Sequence, residues 1–252
     1  MTSNLRRCAI DFHAHTNYSA DCSLSPRRVI ELARDRGLMG IAITDHDNEE
    51  GGFAARDANP YSDFLVIPGV EIKTDLGDLI GLFISSRIKS RRFREVAEEI
   101  HSQDGFVYVP HPLRTFKQKF PQMVEQFQEA DAWELLNGRY SPEEYRDARV
   151  SFASCGIQHA LAGSDSHMEW DIGVCRSLLS GLPTSAACLR QLLVDAVNIN
   201  EPITEFQRKS GIYLGSLIRA RKRRQYWFLA KECLSFPWKG VRYAAKAVLR
   251  RH

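Results

Sequence analysis

The sequence predicts an α/β fold on a mainly parallel sheet, and three observations carry that expectation. Short apolar, β-branched runs alternate with amphipathic runs along most of the chain, the pattern of repeated βα units. Histidines and acidic residues fall just after the apolar runs rather than inside them. Beyond residue 207 the alternation gives way to a basic, aromatic-rich segment.

The elements follow in order. A first strand is expected at 8–12 (CAIDF) and leads into His13-Ala14-His15. Ser25-Pro26 then marks a helix start, a hydroxyl N-cap with proline at the first helical position. Val29, Ile30 and Ala33 recur at helical spacing, and Gly37 follows as a stop signal. Strands at 40–44 and 64–70 lead into Asp45-His46-Asp47 and Glu71, and a further strand spans 78–84. Residues 89–103 read as a helix with Phe93, Val96, Ala97 and Ile100 on one face. Strands at 106–110, 132–136 and 159–163 run into His111-Pro112, Asn137-Gly138-Arg139 and Ser164-Asp165-Ser166-His167. Residues 142–155 and 185–197 are expected helices, and 174–179 is a weaker strand.

Composition narrows the class. The 252 residues are 44% hydrophobic and 26% charged, which argues against wholesale disorder, collagen and a small disulfide-stapled scaffold. No uncharged apolar stretch approaches the roughly 18–20 residues of a membrane span. Asp11 and His13 arrive too early for a secretory leader, so a cytoplasmic location is expected. The six cysteines form no C-x-x-C pair, so a metal site has to be built from imidazole and carboxylate. Of 34 basic and 31 acidic residues, 13 basic and one acidic lie in 208–252. That leaves a body of about −9 and a tail of about +12, an asymmetry suggesting two jobs on one chain.

Five of the eight histidines sit at expected C-terminal strand ends, the rim where parallel α/β folds assemble active sites. Strand alternation places His13 and His15 on one side, with Asp11 expected to orient an imidazole from behind. Asp165-x-His167 repeats the spacing, His46, Glu71 and His111 supply single ligands, and Asp21 adds one from a loop. Five imidazoles with three carboxylates suit Zn, Mn or Fe better than Ca or Mg. They exceed what one tetrahedral ion uses, so two or three divalent ions are expected, with Glu71 bridging. Clustered ions make hydroxide available near pH about 7 and grip the oxygens of a displacement at phosphorus, which points to phosphate ester hydrolysis. Arg114 and Arg139, on rim loops, are expected to fork onto phosphate oxygens. Asp165 is expected to bind metal and to orient or deprotonate the attacking water.

The segments DFHAHTNYSADCSLSP, ITDHD, PGVEI, VPHP and LAGSDSH resemble, in order and spacing, the successive motifs of the PHP (polymerase and histidinol phosphatase) family over roughly residues 8–185. The resemblance implies a distorted (β/α)7 TIM-like barrel of the PHP type with a metal cluster at its C-terminal rim. It also implies a metal-dependent phosphoesterase that hydrolyses a phosphate ester by attack of metal-bound hydroxide. On that resemblance the ligands fall on His13, His15, His46, Glu71, His111, Asp165 and His167, with the loop ligand on Asp21. Glu134 and Asn137 resemble the family's E-x-x-N segment, which implies supporting roles behind the ligands. One departure stands out: many members carry a further histidine after the glutamate, where this chain has KTDLGDLIGLFISS. Either Asp78 substitutes, or one metal position is weak.

The expected organisation is a barrel over 1–207 and a basic, mostly helical extension over 208–252. The expected substrate is a phosphorylated small molecule or nucleotide. The extension suggests contact with an anionic membrane or nucleic acid, Trp227, Phe228, Phe236 and Trp238 serving as anchors or stacking platforms; lipid contact would make the protein membrane-peripheral. Two other readings share the motifs: a metal-dependent amidohydrolase acting on C–N bonds, and a weakly catalytic metal-bound module tethered by its tail.

Overall fold

A computed structural model describes residues 7–201 and 203–223. The strands are β1 (Cys8–Ala14), β2 (Gly40–Ile43), β3 (Leu65–Lys73), β4 (Asp78–Leu82), β5 (Phe106–Val109), β6 (Ala132–Asn137), β7 (Ala160–Gly163), β8 (Cys175–Leu179) and β9 (Val197–Asn200). The helices are α1 (Pro26–Asp35), α2 (Glu50–Ala58), α3 (Phe93–His101), α4 (Pro112–Phe116), α5 (Phe120–Gln126), α6 (Pro142–Ser154), α7 (Ala186–Leu192) and α8 (Glu205–Lys222).

One nine-stranded sheet runs in the order β7-β6-β5-β4-β3-β2-β1-β8-β9 and curls into a nearly closed barrel. Closure comes at the rim, where a parallel bridge joins Ala14 to Ser166. There the Asp165 N–H donates to the His13 carbonyl at 2.8 Å, and the His15 N–H to the Ser166 carbonyl at 3.1 Å. Lower down, β8 pairs antiparallel with the start of β1 and β9 with β8. Side chains stitch that seam: the Ser177 hydroxyl accepts from the Ala162 N–H at 3.0 Å, and the Asn198 amide donates to the Ala160 carbonyl at 3.0 Å.

The expected α/β barrel is present, but its sheet is more mixed than the alternation of apolar runs suggested. β3 and β4 form an antiparallel hairpin with Lys73 opposite Asp78. Its short turn is closed by the Thr74 N–H donating to the Gly77 carbonyl at 3.0 Å. A crossover helix cannot fit there, because parallel connections need a dozen or more residues. The consequence is functional: β4 starts at the rim, which brings Asp78 to the mouth.

Strand alternation sorts the core. Phe106 and Tyr108 of β5 and Ala42 of β2 join Ile10, Phe12, Ile67, Ile80 and Leu161 in one buried cluster. Ile41, Ile43 and Val66 face the other way, onto Val29, Ile30 and Ala33 of α1 and Ala55 of α2. Val107 and Val109 pack with Trp133 against Phe93, Val96 and Ile100 of α3 and Phe152 of α6. Both strand faces are covered, so the strands read as continuous apolar runs. The Ser25 hydroxyl accepts from the Arg28 N–H, Pro26 opens α1, and Gly37 takes φ 74 just beyond its end.

The expected helix at 185–197 is shorter: α7 ends at Leu192, a 3-10 turn follows, and 197–200 is the edge strand β9. α8 runs through position 207/208, where the charge balance changes. Among the described residues no helix is long and apolar enough to cross a membrane. The expected anchors Trp227, Phe228, Phe236 and Trp238 lie outside the described residues.

Candidate metal centre

All eight residues expected as ligands converge on the barrel mouth. His13 and His15 come from the end of β1 and the residue after it, Asp21 from the following loop, and His46 from the loop after β2. Glu71 lies in β3, His111 follows β5, and Asp165 and His167 follow β7. The imidazoles form a chain: His13 to His15 at 5.1 Å between ring centres, His15 to His46 at 4.3 Å, His15 to His167 at 4.2 Å, and His13 to His111 at 5.9 Å.

Outer partners fix which ring nitrogen faces the centre. His13 Nδ1 lies 3.1 Å from Glu134 Oε1. A carboxylate only accepts, so Nδ1 carries the proton and Nε2 offers a lone pair inward. His13 Nε2 then stands 3.1 Å from His15 Nε2 and 3.4 Å from Glu71 Oε2. His167 Nδ1 donates to the Asp165 carbonyl at 3.0 Å. His15 Nδ1 meets the Ser19 hydroxyl at 3.1 Å, and His111 Nδ1 meets the Thr115 hydroxyl at 3.2 Å.

Glu71 is the hub. One oxygen is 2.9 Å from His46 Nδ1 and 3.4 Å from Nε2 of both His13 and His15, and the other is 3.0 Å from His111 Nε2. Burial opposes its ionisation, but the imidazoles around it hold it well below the usual carboxylate range. Asp165 is also depressed, with Arg139 the leading charge against its burial. Burial disfavours protonation of every imidazole here. The surrounding carboxylates, Glu71 foremost, nevertheless raise His46 to about 9 and raise His111. Glu134 leads the same effect at His13. His15 and His167 stay lowered, because other cations add to their burial.

These groups fit divalent ions on the chain's own bonding. His167 Nε2 and Asp21 Oδ1 are buried, 3.2 Å apart, and neither has a hydrogen-bond partner. With the Nδ1 proton committed, the neutral ring turns a lone pair toward a carboxylate oxygen in a buried place, an arrangement that suits a cation between them. Three overlapping triads have ligand atoms within 4.8 Å of one another: His15/His46/His167, His13/His15/Glu71 and Glu71/Asp78/His111. Asp78 therefore stands with Glu71 and His111 where the further histidine of the resembling family was missing.

The supports are as specific as the ligands. Glu134 accepts from the Tyr108 hydroxyl at 3.0 Å, the His111 N–H at 2.7 Å and the Asn137 amide at 2.9 Å, besides holding His13. Asn137 also reaches Asp165 Oδ2 at 3.3 Å. Gly163 makes room for this: a Cβ there would stand 2.2 Å from the His13 Cβ and 2.6 Å from Glu134 Oε1. Asp45 accepts from the N–H and hydroxyl of both Thr16 and Ser19 at 2.6–3.0 Å, pinning the turn after His15. His111 and Asp165 both adopt left-handed backbone, φ 30 and 51.

Asp11 does something other than orient an imidazole. Its carboxylate accepts the backbone N–H groups of His13, Ser164 and Gly173 at 3.2, 2.9 and 3.0 Å, so it ties β1 to the two segments flanking the seam. Burial still lifts it to about 6. Arg139 lies at the mouth, its Nε 3.1 Å from the Asp165 carbonyl and 3.7 Å from Oδ1. Arg114 is already engaged, forking onto Glu144 at 2.8 and 2.9 Å and bonding the Arg139 carbonyl. A cleft of about 350 Å³ opens beside the ligands, lined by Lys73, Asp78, His111, Arg114, Arg139 and Asp165 among others.

Residues 11–130 match the PHP domain. An uncharacterized protein of Methanocaldococcus jannaschii is 34% identical over 113 residues, which cover 40% of this chain and 66% of that relative. A Bacteroides vulgatus two-domain protein containing a predicted PHP-like metal-dependent phosphoesterase superposes with a TM-score of 0.61 at 18% identity, over 77% of this chain and 65% of that one. An amidohydrolase from Chromobacterium violaceum, solved with sulfate and no metal, gives a TM-score of 0.56 at 18% identity over 65% of this chain and 89% of the other. The first two matches span just under two thirds of those relatives' lengths. The site is a cluster of potential metal ligands at the mouth of an α/β barrel, and the PHP domain match covers residues 11–130, just under half of the chain.

Proposed function

We propose that the protein is a metal-dependent phosphoesterase acting on a phosphorylated small molecule or nucleotide. One observation carries the reading: ligand triads that share Glu71 and His15 open onto a cleft bearing Lys73 and Arg139. Cations on the wall beyond the ligands suit an anionic group lodged against them.

His13, His15 and Glu71 would hold one ion, and His46 and His167 with Asp21 a second. Glu71, His111 and Asp78 would hold a third. Two or three Zn, Mn or Fe ions match this imidazole-rich set. When bound, they act as Lewis acids toward phosphoryl oxygens and make hydroxide available near neutral pH. The chain does the rest. Asp165 Oδ2 is pinned by Asn137, which leaves Oδ1 to orient the attacking water. Arg139, hinged on the Asp165 carbonyl, contacts a phosphoryl oxygen across the cleft. Arg114 acts one step back, bonding the Arg139 carbonyl while Glu144 holds its guanidinium. The basic segment after 207 would bring the barrel to an anionic membrane or nucleic acid.

Ion analysis coupled to a substrate panel tests this. Phosphomonoester or diester turnover that chelation abolishes and Mn²⁺ or Zn²⁺ restores is the expected result. Turnover confined to cyclic amides would replace the reading with an amidohydrolase. One tight ion with no turnover would leave a binding module.

A further inference from the structure

The loop carrying Asp21 is held from outside by α8. The Arg219 guanidinium pairs with Asp21 Oδ2. Lys222 Nζ donates to three carbonyls of the same loop: Asn17 at 2.9 Å, Ser19 at 2.6 Å and Cys22 at 2.8 Å. A Cβ on Gly215 would stand 3.4 Å from the Asp21 carbonyl oxygen, so the helix backbone lies against the loop. Tyr213, Leu214, Leu217 and Ile218 close a buried cluster with Met168, with Trp170 packed beside it, in the segment that follows His167. The helix therefore grips both segments that carry the unpartnered pair Asp21 Oδ1 and His167 Nε2.

Arg219 is either a rival cation for Asp21 or its brace, and the two oxygens separate these roles. The guanidinium takes Oδ2, which also stands 3.7 Å from His46 Nε2, while Oδ1 faces His167 Nε2 at 3.2 Å. Oδ1, the atom aimed at His167, is left for an ion, and among the described residues the Lys222 hydrogen bonds go to carbonyl oxygens. We propose that Arg219 and Lys222 are positioning residues of the metal centre, and that docking of α8 and ion binding at Asp21, His46 and His167 are coupled. An ion that needs the docked arrangement must stabilise docking in return. The inference rests on the reading of Asp21, His46 and His167 as ligands.

Hydrogen exchange on the full chain, with and without saturating Mn²⁺ or Zn²⁺, tests the coupling, alongside calorimetric titration of the ions. Ion addition should slow exchange of the 211–222 amides by about tenfold or more. Arg219→Ala should erase that slowing and weaken one ion by about 10–100-fold while the others hold. Arg219→Lys should recover part of it, and Arg208→Ala, on the same helix, should match the wild type. If Arg219→Ala does not fold, Lys222→Met carries the same expectations. Unchanged α8 exchange on ion binding would overturn the inference alone. So would faster exchange together with tighter ion binding in Arg219→Ala, the signature of a rival cation. A wild-type chain that takes up no ion would overturn both the inference and the metal-centre reading.

Discussion

Ionisable side chains gather at both ends of the barrel, and the two ends are finished differently. At the N-terminal end Asp131 accepts from Arg190 at 2.6 and 2.9 Å, from the Val107 N–H at 2.7 Å, and meets His101 Nε2 at 3.0 Å. Each charge there has its opposite, supplied by the chain. At the mouth, imidazole nitrogens face one another and face carboxylates, and Asp21 Oδ1 and His167 Nε2 lack partners. The first arrangement is complete without help; the second offers its unmatched atoms to cations. Clustering of titratable groups does not by itself mark a site, whereas clustering with unmatched lone pairs does.

The contrast can be broken by mutation. Glu71→Ala should have the largest effect on turnover, well beyond the about 10–100-fold that loss of an outer partner costs, because two of the three ligand triads share this carboxylate and His46 of the third lies 2.9 Å from it. Elemental analysis should show more than one ion lost. Arg139→Ala should lower turnover of the phosphoester by about 10²–10³-fold with ion content intact. Glu134→Gln should cost about 10–100-fold in affinity for the ion held by His13, since the amide supports the His13 Nδ1 proton less strongly. At the opposite end, Asp131→Ala should lower unfolding free energy by about 2–3 kcal/mol and leave metal affinity untouched; chemical denaturation beside ion titration reads both. A loss of ions in Asp131→Ala would erase the distinction between the two ends.

Protons sharpen the same comparison. His46 in the ion-free protein is raised to about 9, above its ordinary 6.5, so it is mostly protonated at neutral pH. Ligation needs the neutral ring. Ion uptake at pH 7.5 should therefore release about one proton or more, and affinity should climb as pH rises toward about 9 and level off above it. Calorimetry in two buffers of different protonation heat measures the release. Affinity that is flat between pH 6.5 and 9 would count against His46 as a ligand.

Much of this was legible before any coordinates. His13, His15, His46, Glu71, His111, Asp165 and His167 announce themselves because each follows an apolar run, and a barrel sends all such ends to one rim. Asp78 was legible as one of two alternatives for the missing histidine, and the sequence could not choose between them because its arrival depends on β4 reversing through a short turn. Asp11 was misread because the sequence shows which residues share a strand, not which backbone N–H groups a carboxylate will meet across a seam. Arg114 looked equivalent to Arg139, and only Glu144, 30 positions on, separates them. Arg219 and Lys222 were lost in a run of basic residues, because their partners lie about 200 positions earlier in the chain. β9 was hidden behind the amphipathic pattern of α7, whose last apolar residues continue into a 3-10 turn.

His111 and Asp165 carry a consequence of their own. Side chains with a Cβ are uncomfortable in left-handed backbone, where glycine sits at ease. Torsional discomfort kept at the rim has to be outweighed by the well-packed wall beneath it. Asp165→Gly should then lose less stability than Asp165→Ala, because glycine sheds the torsional cost that alanine keeps while both forfeit the carboxylate.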